Sequence, residues 1–207
     1  MEEKLELFPA LQAAGWIQHV FTTRGCTPAL VRHAGEEALL AALPIAGREW
    51  RFAEQVHGNG VALVGRSSPR VTPGVDALCT GEAGVVLGVS VADCCAVFVV
   101  DAARRAIGLA HSGRRGTELN VLGALVGEMG RAFGTRPGDV LVQLSPCIRP
   151  PHYDVDFAAM IRRQAEELGV AACHDCGVCT ASRLDRYYSY RAEKGNTGRM
   201  LAALGIL

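Results

Sequence analysis

The 207-residue chain carries no excess of charge: 21 lysines and arginines face 21 aspartates and glutamates, for a formal net charge of zero. This balance excludes a protein whose main task is to coat nucleic acid or lie on acidic lipid, since both need a basic surplus. No internal repeat, low-complexity tract or linker-like stretch interrupts the sequence, which excludes solenoids and disordered tethers. A membrane span needs ~20 apolar residues. The longest apolar run, residues 84–100, is broken by Ser90 and Asp93, and it reads as a pair of buried strands. The segment Met1–Glu6 is acidic and lacks the apolar stretch of a secretory leader. The expected setting is therefore cytoplasmic, with no membrane or nucleic-acid partner, as a monomer or homodimer.

What is present is a globular composition, 49% hydrophobic and 20% charged, with 24 glycines that predict many turns. The length suits one domain over residues 1–207. Eight cysteines stand at Cys26, Cys79, Cys94, Cys95, Cys147, Cys173, Cys176 and Cys179. In a reducing compartment these are thiols available for packing, metal binding or catalysis.

Periodicity gives a coarse element map. Ile17–Thr22 reads as a strand ending in the turn Thr23-Arg24-Gly25, and Glu36–Leu43 as a helix stopped by Pro44. Arg51–His57 and Val61–Val64 read as a hairpin about Gly58-Asn59-Gly60. Asp76–Cys79, Val85–Val91, Ala96–Val100, Ala106–Ala110 and Val140–Leu144 are further strands. Leu119, Leu122, Leu125, Val126, Met129 and Phe133 mark an amphipathic helix that starts after the polar turn Ser112–Thr117. Phe157, Ile161 and Leu168 mark another, and Met200–Leu204 a last one. Strands with irregularly placed helices predict an α+β fold: a single compact domain with mixed β-sheets flanked by helices.

Three residues at strand ends carry the chemistry. His57 precedes Gly58, Cys94 sits at the polar break Ala92-Asp93-Cys94-Cys95, and His111 closes an apolar strand. Each alone is ordinary. Together they form a His₂Cys set, which leaves zinc a fourth, open position where a bound water is acidified. Buried Asp93 needs a partner, and Arg24 and Arg115 have the fork geometry that suits phosphate or carboxylate. His111 and the basic turn after it lie before a helix N-terminus, which favours anions. Cys173-His174-Asp175-Cys176-Gly177-Val178-Cys179 has knuckle-like spacing but no second pair, so plain thiols are expected there, with an iron–sulfur cluster as the alternative.

In order along the chain, Phe21-Thr22-Thr23-Arg24, Gln55-Val56-His57-Gly58, Gly74-Val75-Asp76-Ala77, Ala92-Asp93-Cys94 and His111-Ser112-Gly113-Arg114-Arg115-Gly116-Thr117 resemble the motifs of one family. Residues 146–155, Cys179-Thr180, Tyr188-Ser189-Tyr190-Arg191 and Thr197-Gly198-Arg199 complete the match. It is the YfiH-like family, also called the laccase-domain or purine nucleoside phosphorylase/adenosine deaminase family. The resemblance implies a fold of the YfiH-like cysteine-hydrolase type. It also implies a metal site, zinc by usual assignment, at His57, Cys94 and His111, with Cys94 and His111 catalytic. The implied activities are phosphorolysis of adenosine, inosine and methylthioadenosine, and deamination of adenosine at C6. The partners are then purine nucleosides and phosphate. Arg24 and Arg115 are expected to be catalytic and substrate-binding residues that hold phosphate, and Asp93 is expected to bind substrate.

The chain departs from the family pattern in four places: the short loop Gly25–Leu30, Arg114 where an aromatic is usual, Ser145-Pro146 where Gly-Pro is usual, and His152 where a cysteine is usual. Arg114 and His152 make the pocket suited to an anionic ligand. Two other chemistries remain open. Copper also takes His₂Cys sites, as in a laccase-like polyphenol oxidase, although six histidines are few for several coppers. The other is a metal-free amidase with Cys94 as nucleophile, acting on peptidoglycan precursors.

Overall fold

The computed structural model describes residues 5–26, 40–41, 43–45 and 49–207. The helix expected over Glu36–Leu43 and the loop Gly25–Leu30 fall largely outside them.

Two six-stranded mixed sheets stack face to face. The first runs, in spatial order, β1 (Leu5–Glu6), β2 (Ile17–Thr22), β12 (Met200–Ile206), β7 (Val85–Val91), β3 (Glu49–Ala53) and β5 (Val71–Thr72). The second runs β11 (Ala172–Asp175), β10 (Val140–Leu144), β8 (Cys95–Asp101), β9 (Ala106–Ser112), β6 (Ala77–Thr80) and β4 (Val61–Leu63). The fold is α+β. Between the sheets lie Phe21, Leu87 and Val89 from the first and Leu78, Phe98, Ile107 and Leu109 from the second. Outside the second sheet, α3 (Val121–Phe133) and α4 (Phe157–Leu168) pack Leu122, Leu125, Met129 and Ile161 onto Val97, Val99, Val142 and Leu144. Outside the first, Leu40, Leu43 and Ile45 cover Trp50, Phe52 and Val86. Strands covered on both faces read as continuous apolar runs, and every residue of β7, β8 and β9 is buried. Two further helices are short, α1 (Pro9–Gln12) and α2 (Arg114–Glu118). No helix of the described residues is long and apolar enough to cross a membrane.

Four sequence expectations are corrected. Met200–Leu204 belongs to a strand, β12, hydrogen-bonded to β2 and β7 on either side. Its side chains alternate: Met200, Ala202, Leu204 and Ile206 enter the core between the sheets, while Leu201 and Ala203 enter the outer one. Met, Leu and Ala favour helices on their own, but burial on two faces decides. The hairpin about Gly58–Gly60 does not form, because β3 and β4 belong to different sheets. The glycines instead permit close approach to residues 74–76. A Cβ on Gly60 would lie 2.7 Å from the Gly74 carbonyl oxygen, and the Gly60 carbonyl accepts from Asp76 N at 2.9 Å. Likewise β7 and β8 are not partners, since the chain crosses from one sheet to the other between them. Finally, the long helix begins at Val121, capped by the Asn120 side chain, which accepts from Gly123 N at 3.0 Å. Residues 114–117 of the expected turn belong to the separate five-residue α2, which ends before the long helix begins.

One histidine is structural. His19 on β2 is 4% exposed, stacks on Phe8 and accepts Phe8 N at Nε2 over 2.7 Å. Burial pushes it down to about 4 from 6.5. The unfolded chain therefore takes up this proton first, and stability is lost as pH falls from 6.5 toward 4, by up to ~3 kcal/mol. In urea titrations across that window, His19→Gln is expected to flatten the slope, since glutamine still offers an acceptor to Phe8 N. An unchanged slope would contradict the assignment.

Candidate active site

The chain brings His57, Cys94 and His111 together at the seam between the sheets. His57 follows β3, Cys94 lies in the crossing from β7 to β8, and His111 is on β9. One ligand atom from each lies within 4.8 Å of the other two. Among the described residues this is the one group of three or more His, Cys, Asp or Glu with metal-binding spacing.

Asp76, just before β6, organises two of them. It is fully buried. Its Oδ1 accepts from His57 N at 2.9 Å and bonds His111 Nδ1 at 2.8 Å, while Oδ2 accepts from Gly58 N at 2.7 Å. Burial would raise its pKa, but the His111 and backbone donors outweigh that and hold it below the usual value. A carboxylate at that point keeps the proton on His111 Nδ1 and leaves Nε2 for a ligand or the thiol. The His57 loop is further held by Gln55, whose amide donates to Ser90 O at 2.7 Å and accepts from Ser90 N at 2.8 Å. Gln55 and His57 both have positive φ, 65° and 60°. This left-handed backbone is uncommon outside glycine and is often found at functional sites.

At Cys94 the preceding Asp93 turns the chain with φ 82°. Its buried carboxylate is satisfied: Oδ1 accepts from Thr180 Oγ1 and Oδ2 from Arg191 N, both at 2.7 Å. Burial would push the Cys94 thiol up, but His111 and then His57 bring it down to about 6. For His111 burial would lower the pKa, while the Cys94 charge and the Asp76 hydrogen bond raise it to about 9. Without a metal these opposed shifts favour a thiolate beside an imidazolium. With one, two imidazoles and a thiolate suit zinc, whose tetrahedral shell spaces donors ~3–4 Å apart, a separation that small side-chain rotations can reach.

Gly113 completes the cradle. A Cβ there would sit 2.7 Å from Cys94 Sγ and 3.7 Å from His57 Cδ2. Gly113→Ala is therefore expected to displace the sulfur and weaken metal binding by roughly tenfold or more, as loss of a well-placed outer partner does, with the far-ultraviolet spectrum unchanged. Undiminished metal affinity would show that the sulfur has room to move.

The trio opens into a cleft of about 1210 Å³ that Tyr153, Tyr190 and several basic side chains also line. Asp93, Arg114 and Arg115 are on its wall. Arg24 is not. Its guanidinium pairs with Glu193 at 2.8 Å, donates to Tyr187 O at 3.0 Å and lies over Tyr188, 4.3 Å from the ring centroid. Arg114 pairs with Glu118 at 2.9 Å, and His152 is exposed off the cleft wall. Among the described residues Cys173, Cys176 and Cys179 do not converge with a further ligand. Burial pushes Cys176 up to about 12, and the segment is tied down by Arg149 on Asp175 at 2.5 Å.

Sequence reasoning missed the roles of Asp76 and Gly113, although both stood in the quoted motifs. A lone acid directly before the apolar run Ala77–Thr80 was the available signal for Asp76.

Comparison with known proteins places the chain. The family described as multi-copper polyphenol oxidoreductase laccase matches residues 24–160 and 152–207. The chain is 31% identical over 203 residues to the purine nucleoside phosphorylase YlmD of Geobacillus stearothermophilus, covering 75% of this chain and 72% of that protein. A purine nucleoside phosphorylase of Deinococcus radiodurans is 28% identical over 232 residues, with 92% and 89% covered. The crystal structure of the hypothetical protein YfiH from Bacillus licheniformis aligns with a TM-score of 0.85 over 99% of this chain and 97% of that one, at 18% identity, a likeness of fold.

Proposed function

This chain belongs to the multi-copper polyphenol oxidoreductase laccase family, and we propose that it works as a zinc-dependent purine nucleoside phosphorylase with adenosine deamination as a second activity. One observation carries the reading: two imidazoles and a low-pKa thiol, braced by Asp76, face a wide cleft that also presents unpaired cations. A fourth, open position is what catalytic zinc uses, and it is what an enclosed copper electron-transfer site lacks. The names of the relatives support purine nucleosides as substrates. Among the described residues multicopper chemistry finds little support, since His19 is committed to the core and His152 and His174 lie off the cleft wall.

Zinc, when bound by His57, Cys94 and His111, supplies a Lewis acid with one open coordination position. The protein does the rest. Tyr153 and Tyr190 offer flat surfaces to the base. Arg115 balances the charge of phosphate as its oxygen adds to ribose C1′. The C1′–N9 bond breaks with its electron pair leaving on the purine. Asp76 keeps His111 in the tautomer that leaves Nε2 free.

Incubating metal-quantified protein with adenosine, inosine and methylthioadenosine, with and without phosphate, tests the reading by chromatography. Free base formed only with phosphate is the expected product pattern, with inosine from adenosine as the mark of deamination. Absence of both defeats it. The thiolate–imidazolium pair favours one rival, a Cys94 amidase. For that enzyme, alkylation of Cys94 with a midpoint near pH 6 would abolish amide cleavage, and chelators would have no effect.

A further inference from the structure

The cleft holds more positive charge than its carboxylates neutralise. Arg114 is matched by Glu118, and Arg199 donates to Gly198 O at 2.9 Å beside Tyr190. Of the acids, Asp93 is satisfied by Thr180 and Arg191 N, and Glu54 accepts from Gly74 N at 2.7 Å. Three cations are left over. Arg115 and Lys194 make no side-chain hydrogen bond or ion pair among the described residues. Arg191 has only the face of Tyr153, 5.6 Å from its guanidinium carbon.

Two of the three stand on one tight loop. Gly195 N donates to Tyr190 O at 2.9 Å, and Lys194 is held at φ 51°, a left-handed conformation that a lysine adopts at a cost. Arg191 N fastens the loop to Asp93, next to Cys94. Glu193 serves as a central acceptor. It pairs with Arg24 at 2.8 Å and accepts from Ser189 N at 3.0 Å and from Thr197 Oγ1 at 2.5 Å. Arg24 thus clamps the loop without touching the cleft.

We propose that Arg191 and Lys194, together with Arg115, form a binding site for a tetrahedral oxyanion, and that Arg24 and Glu193 are positioning residues that hold its loop. The anion is free phosphate or the 5′-phosphate of a nucleotide, and the site's catalytic use rests on the phosphorolysis reading. Planar guanidinium and ammonium donors suit phosphate oxygens, and a cationic cleft also attracts the anion from solution.

Calorimetric titration of the zinc-loaded protein with inorganic phosphate and, separately, with adenosine 5′-monophosphate tests this. The double variant R191Q/K194Q is expected to weaken at least one of the two anions by about tenfold or more, with zinc content and inosine affinity unchanged. The anion affected identifies the source. Glu193→Gln and Arg24→Gln are expected to weaken the same anion less, with their double variant no worse than either single, and Arg24→Lys should recover part of the loss. Unchanged affinity for both anions in R191Q/K194Q overturns the site, as does an equal loss of inosine or zinc. The two readings separate cleanly. Phosphate bound through these residues without free base defeats phosphorolysis and leaves the site. Free base formed by an R191Q/K194Q variant that binds both anions as tightly as the wild type defeats the site and leaves phosphorolysis.

Discussion

Cys94→Ala is expected to lower phosphorolysis by about 10³-fold or more, because it removes the one anionic donor of the His57–Cys94–His111 set. Losing the Lewis acid forfeits several kcal/mol of transition-state stabilisation, and about 4 kcal/mol corresponds to that factor. The fold should survive, since the half-buried thiol lies at the edge of the core rather than in its centre. The check is paired: metal content after dialysis and rate on inosine with phosphate should fall together. Chelation of the wild-type protein should reproduce the loss, and added zinc should restore the wild type but not the variant. A wild type that keeps its full rate after chelation would remove the metal from the mechanism and leave Cys94 as a nucleophile.

Asp76→Asn should produce the second-largest effect, and a different one. The asparagine keeps the shape but carries an NH₂ group, which must face His57 N, Gly58 N or His111 Nδ1, all of which bond the carboxylate at 2.7–2.9 Å. Metal affinity is expected to drop by about 10–100-fold, the usual consequence of losing a carboxylate behind a histidine ligand. Stability should fall as well, since each buried donor left unmatched costs about 1–3 kcal/mol. Competition titration with a chromophoric chelator and thermal unfolding read the two effects separately. Metal affinity equal to wild type would mean that the His111 orientation is set by packing alone.

Residues whose partners are near in sequence were legible, and residues whose partners are distant were not. The uninterrupted apolar runs of β7, β8 and β9 and the three-to-four spacing along α3 announced themselves, because burial pattern and local period agree there. Met200–Leu204 misled because its helix-favouring residues sit in a strand whose neighbours, β2 and β7, lie more than a hundred residues upstream. Gly58-Asn59-Gly60 misled because hairpin chemistry and close backbone packing ask for the same residue. At the site, ordered motifs made His57, Cys94 and His111 legible. Arg24 looked like a phosphate ligand because an arginine pattern does not reveal that Glu193, 169 positions on, has already claimed the guanidinium. Asp76 was invisible as an organiser for the same reason: two of its three partners are 18–19 residues before it and the third is 35 after it.

The position of β12 bears on how the chain is made. It lies between β2 and β7, so until residues 200–206 leave the ribosome those two strands have no partner on the facing side. A nascent chain of some 195 residues would already hold every ligand of the metal site, yet it would expose two apolar strand edges of the kind that chaperones shield and that aggregate when left bare. Synthesis stalled just short of β12 should therefore yield insoluble product rather than a weakly active enzyme.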